Sequence, residues 1–331
     1  MSASQARPHW QPNATLATAR VRAGMLASAR RFFATHNILE VDTPALSRAA
    51  VSDPHIETVG AMLAADPAHR YFLHTSPEFA MKRLLCAGWP DIYQICKVYR
   101  DGEVGPRHQP EFTMIEWYRR DLSLQAMISH TTEFIRELLG QPDRSYPVVT
   151  MSYRDAFRHY LQLDPLSASI TELGQAAAAD AQLADAIGTQ RDQWLDLLLS
   201  TKLAPQFDPE TLFVLHHYPA SQAALARLCP DDPRVADRFE IFCGELELAN
   251  GYYELGDPDE QLRRCQQDQQ QRQSQAAPQR PLDENFLAAL RAGLPPCCGV
   301  AIGFDRLVML RLQTSRLDDV QIFTTVDANH G

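Results

Sequence analysis

The sequence has no CxxC spacing, no glycine-rich phosphate cradle, no long apolar run and no excess of basic charge. Each absence excludes a class of function. The seven cysteines (86, 96, 229, 243, 265, 297 and 298) are odd in number and form no CxxC pair, which argues against a disulfide framework or a zinc site and for reduced thiols. Neither GxGxxG nor GxxxxGK[ST] occurs, so the familiar nucleotide-binding loops are missing. No stretch approaches the ~18 apolar residues of a membrane span, and the first twenty residues lack the apolar centre of a signal peptide. With 31 basic against 41 acidic residues, the net charge of −10 makes the chain a poor general adhesive for nucleic acid or anionic lipid. These absences predict a soluble, cytoplasmic protein with no membrane partner.

What is present is ordinary for a globular chain: 45% of the 331 residues are apolar, enough for a sizeable core. Residues 1–14, with Pro8 and Pro12, read as an N-terminal arm, and 15–331 as a single domain. Val21, Met25, Leu26, Ala29, Phe32 and Phe33 recur at helical spacing from about Thr15 to His36. Asn37 is a stop, and Ile38–Asp42 reads as a strand ended by Pro44. Within 71–98 a strand precedes a helix opening near Pro77, and a further strand covers Ile92–Arg100. The loop DGEVGPRHQPE leads into a strand at Phe112–Arg119. A helix is predicted over 122–140, a helical insertion over about 164–205, and strands at 212–219, 238–242 and 245–255. The glutamine-rich segment 261–279 reads as a solvated helix with a loop at Pro278. GVAIGFDRLVMLR reads as strand, glycine turn and helix. Strands and helices do not alternate regularly, so the pattern predicts an α+β fold, an antiparallel sheet flanked by helices.

Three constellations carry chemistry. On the second hairpin strand, period two puts Phe112, Met114, Glu116 and Tyr118 on one face and Thr113, Ile115 and Trp117 on the other. Arg100, Arg107 and His108 stand where they could meet phosphates. In RFEIFCGELELANGYYEL, Asn250, Tyr252 and Glu254 share a face, while Glu240 and Glu247 are oxygen donors suited to Mg²⁺. In GVAIGFDRLVML, Gly303 allows close backbone approach and Arg306 lies in the first turn of a helix, a place that favours phosphate. His216 and His217 read as structural.

The order of these segments, and the wording SPEFAMKRLL, VYRDGE, RHQPEFTMIEWY, ELANGYYEL and GVAIGFDRLVML, resembles the catalytic domain of class II lysyl-tRNA synthetases from about residue 15 to 326. The sequence begins close to the first class II motif, without an upstream anticodon-binding barrel. In that respect it is similar to the elongation factor P–lysine ligases, synthetase paralogues that lysylate a protein.

The resemblance implies ATP and Mg²⁺ as cofactors and roles for particular residues. Arg100 and Arg306 would act on the reacting phosphates, with Arg100 at the α-phosphate and His108 near the β- and γ-phosphates. Phe112 would stack on adenine opposite Arg306, and Asp101, Gly102, Glu103, Gln109, Glu247, Leu248 and Gly303 would complete the nucleotide site. Gly102 stands where the family usually has glutamate, so the adenine contact would pass to Glu103 or to backbone. Ser76, Pro77, Glu78, Glu116, Tyr118, Asn250, Tyr252, Glu254 and Ala301 would hold the amino acid, and Glu240 and Glu247 the metal. Ala301 replaces a common synthetase glycine, which implies (R)-β-lysine rather than α-lysine. The implied partners are elongation factor P and a second copy of the chain, with Phe32 and Phe33 as dimer anchors and no stable tRNA partner. A basic patch near Arg100, Arg107, Arg119 and Arg120 would receive the acceptor protein. A minimal lysyl-tRNA synthetase, an ammonia-dependent asparagine synthetase and a non-catalytic paralogue are the rival readings.

Overall fold

In the computed structural model, which describes residues 10–140 and 144–326, the Thr15 side chain accepts the Thr18 N–H at 3.1 Å and caps the first helix. Helix α1 (Leu16–Thr35) ends just before Asn37, which takes the left-handed φ of +57° that breaks helical continuation. Residues 1–9 of the expected arm lie outside the described residues; Asn13 donates its N–H to the Ile322 carbonyl at 2.7 Å, tying the remainder to the C-terminal segment.

The strand expected at 38–42 is shorter, β1 (Leu39–Glu40). A small antiparallel sheet follows, β2 (Leu46–Ser47), β3 (Gly60–Leu63) and β4 (Asp66–Leu73), in the order β2-β4-β3. Sequence pattern showed only β4, because β2 is two residues long and β3 is a four-residue strand with no buried position to mark it. Pro77 opens α2 (Glu78–Cys86), and β5 (Ile92–Tyr99) and β6 (Glu111–Arg120) form the expected hairpin. Helix α3 (Leu124–Leu139) runs from a Ser123 cap to Gly140 at φ +49°. Next come β7 (Val148–Ser152), α4 (Tyr153–Leu161), α5 (Ile170–Ala177), α6 (Ala181–Ile187) and α7 (Arg191–Leu198). Then β8 (Leu212–Pro219), β9 (Val235–Cys243) and β10 (Leu246–Tyr253) precede α8 (Pro258–Ser274), α9 (Glu284–Ala292), β11 (Cys297–Gly303) and α10 (Phe304–Leu312).

Eight strands form one sheet in the order β1-β5-β6-β11-β10-β9-β8-β7. It is antiparallel except at its two edges, where β1 runs parallel to β5 and β7 to β8. One face carries Ile115, Trp117, Val300, Ile302, Phe239 and Ile241 into a core shared with α1, α3 and α10. The helical insertion packs a second apolar cluster, around Trp194 and Leu198, against Phe213, Leu215 and Phe242. Cross-strand register defines the other face. Glu116 pairs with Ala301, Ala301 with Asn250 and Asn250 with Glu240, so one row of side chains crosses β6, β11, β10 and β9. The adjacent row is Tyr118, Gly299, Tyr252 and Arg238.

Two expectations need correction. Phe32 and Phe33 are 1% and 0% exposed within the single chain; Phe33 stacks on Tyr93 at 4.0 Å and on Phe134 at 5.0 Å. They fill this chain's own core and are unavailable to a second copy. Arg119 and Arg120 sit at the far end of β6, roughly 27 Å from Glu111 at a strand's ~3.4 Å rise, and pair with Asp91. They therefore do not form one patch with Arg100 and Arg107.

A buried carboxylate ties α1, β6 and α10 together. Asp305, 1% exposed, accepts from the Arg22 guanidinium, from the Thr113 N–H at 2.8 Å and from Gln321 Nε2 at 3.2 Å. Asp305→Ala leaves Arg22 and the Thr113 N–H without this partner, and a broken buried pair of this kind costs about 3 kcal/mol or more. Urea unfolding is expected to show that loss as a lowered midpoint, and a midpoint unchanged within error would refute the structural role.

Candidate active site

A cavity of about 1360 Å³ opens over the two polar rows. Its floor is β11, where Gly299, Ala301 and Gly303 alternate with Val300 and Ile302 of the core. At 299 glycine is required. A Cβ on Gly299 would lie 2.3 Å from Glu254 Oε1 and 2.4 Å from the Tyr118 ring.

At one end the wall is cationic. Arg100 lies with its guanidinium carbon 5.2 Å from the Phe112 ring centroid, and its Nε is buried without a partner. Glu103 is 3.5 Å from Arg100 Nη1, a loose pair that leaves donors free. Arg306 is anchored by donating to the Glu247 carbonyl at 2.9 Å, and its Nη2 lies 2.9 Å from His108 Nε2. Partial burial and the Arg306 charge lower the His108 pKa. A neutral ring with its proton on Nδ1 would then accept the Arg306 N–H.

At the other end the wall is acidic. Both Glu116 oxygens accept at 2.7 Å, one from Ser76 Oγ and one from the Tyr118 hydroxyl. Ser76 in turn accepts the Glu78 N–H at 3.0 Å, where α2 begins. Burial pushes the Glu116 carboxyl up to about 7, with Glu78 adding to the shift. Burial also lifts Glu254 to about 8, against the pull of Lys82. The Asn250 Oδ1 is buried and unpartnered in the middle of the row. The strand β6 thus runs from an aromatic beside cations at Phe112 to carboxylates at Glu116, spaced by its period of two.

Of the residues singled out from sequence, Ser76, Glu78, Arg100, Glu103, His108, Gln109, Phe112, Glu116, Tyr118, Glu247, Leu248, Asn250, Tyr252, Glu254, Ala301, Gly303 and Arg306 all line this cavity. Four stand off its wall. Pro77 is buried behind it as the cap of α2. Asp101 is exposed and donates its N–H to the Glu57 carbonyl, away from the cavity. Gly102 is exposed at φ +80°, a conformation that a glutamate side chain would strain. Glu240 lies buried below the wall, accepting from the Tyr218 hydroxyl at 2.6 Å and Arg238 at 2.5 Å.

Sequence reading missed three contributors. Lys82 is fully buried and ion-paired to both Glu78 and Glu254, at 2.6 and 2.5 Å; its signal was the i,i+4 spacing from Glu78. Arg238 stands two residues before Glu240 on the same face, and Gly299 completes the small-residue alternation of β11. Among the described residues, His217, Cys229 and Asp237 also bring ligand-type atoms within 4.8 Å of one another, but Arg227 already pairs with Asp237 at 2.8 Å.

Because Glu254 holds its proton more tightly when folded than at an ordinary carboxylate pKa near 4.5, its contribution to stability is present at low pH and lost as pH rises towards 8. The buried histidines His130 and His216, whose pKa values burial lowers, act in the opposite sense. The test is therefore differential. From pH 6 to pH 8 the stability of Glu254→Gln relative to the unaltered protein is expected to rise by about 2 kcal/mol, read from urea unfolding. A pH-independent difference would contradict the assignment.

Comparison with known proteins places this geometry. Residues 9–327 match the family of class II tRNA synthetases (D, K and N). The chain is 43% identical over 323 residues to the elongation factor P–(R)-β-lysine ligase of Haemophilus influenzae strain PittGG, covering 97% of this chain and 98% of that protein. It is 42% identical over 321 residues to the proteins of that name from Salmonella dublin and Salmonella paratyphi B, covering 95% of this chain and 97% of each. With its antiparallel sheet, its arginine-flanked Phe112 and its GFDR strand–helix turn, the chain belongs to the class II tRNA synthetase family, with elongation factor P–(R)-β-lysine ligases among its relatives.

Proposed function

We propose that this protein activates (R)-β-lysine with ATP and transfers it to a lysine side chain of elongation factor P. The observation that carries the reading is the polarity of one cavity: Arg100, Arg306 and His108 gather at one end, and Glu78, Glu116 and Glu254 at the other. A nucleotide phosphate suits the first and an amino acid with two ammonium groups the second. The names of the relatives supply the acceptor and the isomer.

The chemistry has two steps. A carboxylate oxygen of the amino acid attacks the ATP α-phosphorus, the bond to the bridging oxygen breaks, and pyrophosphate leaves. An acceptor amine then attacks the acyl carbon of the mixed anhydride, AMP departs with the bonding pair, and the amine loses a proton. The protein's part is positioning and charge neutralisation. Arg100, with its unpartnered Nε, would hold the α-phosphate, and Phe112 and Arg306 would sandwich the adenine. Glu240 and Glu247 would hold Mg²⁺. The β9–β10 register pairs Glu247 with Phe242, two residues from Glu240, so the two are near neighbours across the strands; hard oxygen donors suit the ion, which would take Glu240 in exchange for its bond from Tyr218 or Arg238. Bound there, the ion would offset phosphate charge.

Ala301 supports the choice of isomer. Its register sets it between Glu116 and Asn250, so its methyl group takes space at the level where an α-ammonium would sit. A β-amino acid carries that nitrogen one carbon further from the carboxylate. A homodimer remains part of the proposal, resting on β1 as an open sheet edge with Leu39 46% exposed. Light scattering at micromolar concentration is expected to give twice the chain mass.

Arg100→Ala and Arg306→Ala are each expected to lower amino-acid-dependent pyrophosphate exchange at least ~100-fold, a loss of about 3 kcal/mol of charge stabilisation. Near-normal exchange in either would remove the nucleotide assignment. Labelled product is expected on elongation factor P and not on tRNA; efficient aminoacyl-tRNA formation would overturn the acceptor. Competition between isomers should favour β-lysine, and Ala301→Gly should narrow that preference. Equal use of both by the unaltered protein would defeat the isomer assignment.

A further inference from the structure

We propose that Lys82 sets the charge of the amino-acid pocket, acting from behind Glu78 and Glu254 as a positioning residue that makes the site selective for a substrate with two ammonium groups. This deepens the reading above and rests on it.

Lys82 is on α2, one turn after Glu78, and is 0% exposed. It does not reach the cavity, whereas both of its partners line it. Its ammonium lies 2.6 Å from Glu78 Oε1 and 2.5 Å from Glu254 Oε2. The remaining Glu254 oxygen, Oε1, is buried without a hydrogen-bond partner and rests beside Gly299, 2.3 Å from where a Cβ on that residue would lie. Phe286 from α9, its ring centroid 6.0 Å from the ammonium and stacked on Phe79 at 4.4 Å, packs beside it. Lys82 therefore binds one oxygen of each carboxylate from the rear and leaves an orphan acceptor on the cavity side.

The charge count gives this arrangement a purpose. At the acidic end three carboxylates, Glu78, Glu116 and Glu254, stand against the single cation Lys82, two formal negative charges when all three are ionised. The two ammonium groups of a diamino acid match these two charges and favour the ionised carboxylates, and its own carboxylate is left for Arg100. Without Lys82 the pocket would keep a surplus negative charge in a buried place, where unbalanced charge is costly. A purely structural ion pair needs a single carboxylate and gains little over an apolar replacement. Here one ammonium spans two carboxylates, both on the cavity wall.

The test is pyrophosphate exchange driven by (R)-β-lysine, with melting temperatures recorded for every variant. Lys82→Met is expected to raise the amino-acid KM by about tenfold or more while the KM for ATP stays within about twofold. Glu78→Gln/Lys82→Met removes one charge of each sign and restores the count, so its amino-acid KM is expected to fall below that of Lys82→Met. If Lys82→Met does not fold, the double variant is compared with Glu78→Gln, whose acidic end carries one negative charge fewer than the unaltered site; adding Lys82→Met there restores that charge and is expected to lower KM. An amino-acid KM within twofold of the unaltered protein for Lys82→Met, or a double variant whose KM is no lower than that of the single variant it is compared with, overturns the role of Lys82. Absence of any β-lysine-dependent exchange by the unaltered protein overturns instead the functional reading on which it rests.

Discussion

The site depends on the register of four neighbouring strands, β6, β11, β10 and β9. Because side chains alternate faces along a strand, sliding β6 by one residue against β11 would turn Glu116 into the core and bring Trp117 to the cavity. The native register is held from the core side, where Ile115, Trp117, Val300 and Ile302 pack among Phe33 and Phe134. The apolar face thus specifies the polar one. Helices α1, α3 and α10 pack on the core face of the sheet, opposite the acidic wall, yet their packing fixes which residues make it.

A second constraint is the burial of charge. Glu116, Glu240 and Glu254 are each 6% exposed or less, and burial alone would drive them to neutrality. The structure meets this cost locally. Glu116 takes two hydroxyls, Glu240 takes Tyr218 and Arg238, and Glu254 faces Lys82. These partners leave the carboxyl groups close to the balance between charged and neutral forms. An incoming ammonium can then tip them to the charged form, so ligand charge and site charge are settled together.

The cationic end uses different physics. Arg100 and Arg306 are held mainly by backbone, an aromatic face and a neutral imidazole, with glutamates Glu103 and Glu247 no closer than 3.5 and 3.6 Å. Loose pairing preserves donors for a phosphate, whereas a tight bidentate pair would consume them. Asp305, next to Arg306, is the opposite case: it is fully engaged with Arg22, Thr113 and Gln321, and it joins the helices to the hairpin. Adjacent residues in one turn therefore divide the work, Asp305 inward and Arg306 towards the cavity.

Most elements were legible because each declares itself locally. The helical spacing of the apolar residues of α1, the period-two face of Phe112, Glu116 and Tyr118, and the strand–turn–helix at Gly303 are properties of short windows. The small sheet β2-β4-β3 was not legible beyond β4, since β2 and β3 are short and bury no residue, which leaves no apolar alternation to read. Residue chemistry and spacing pointed to Glu116, Glu254, Arg100, His108 and Arg306, while Glu78 entered through the family resemblance. Their arrangement was decided only by tertiary structure. No window of sequence relates Lys82 to Glu254, 172 positions on, or tells that Glu240 would sit below the wall while Glu247 borders it. Phe32 and Phe33 show why: an apolar helix face asks to be buried, and only the packing of α3 and β5 against it decides that the chain's own core, rather than a second copy, does so.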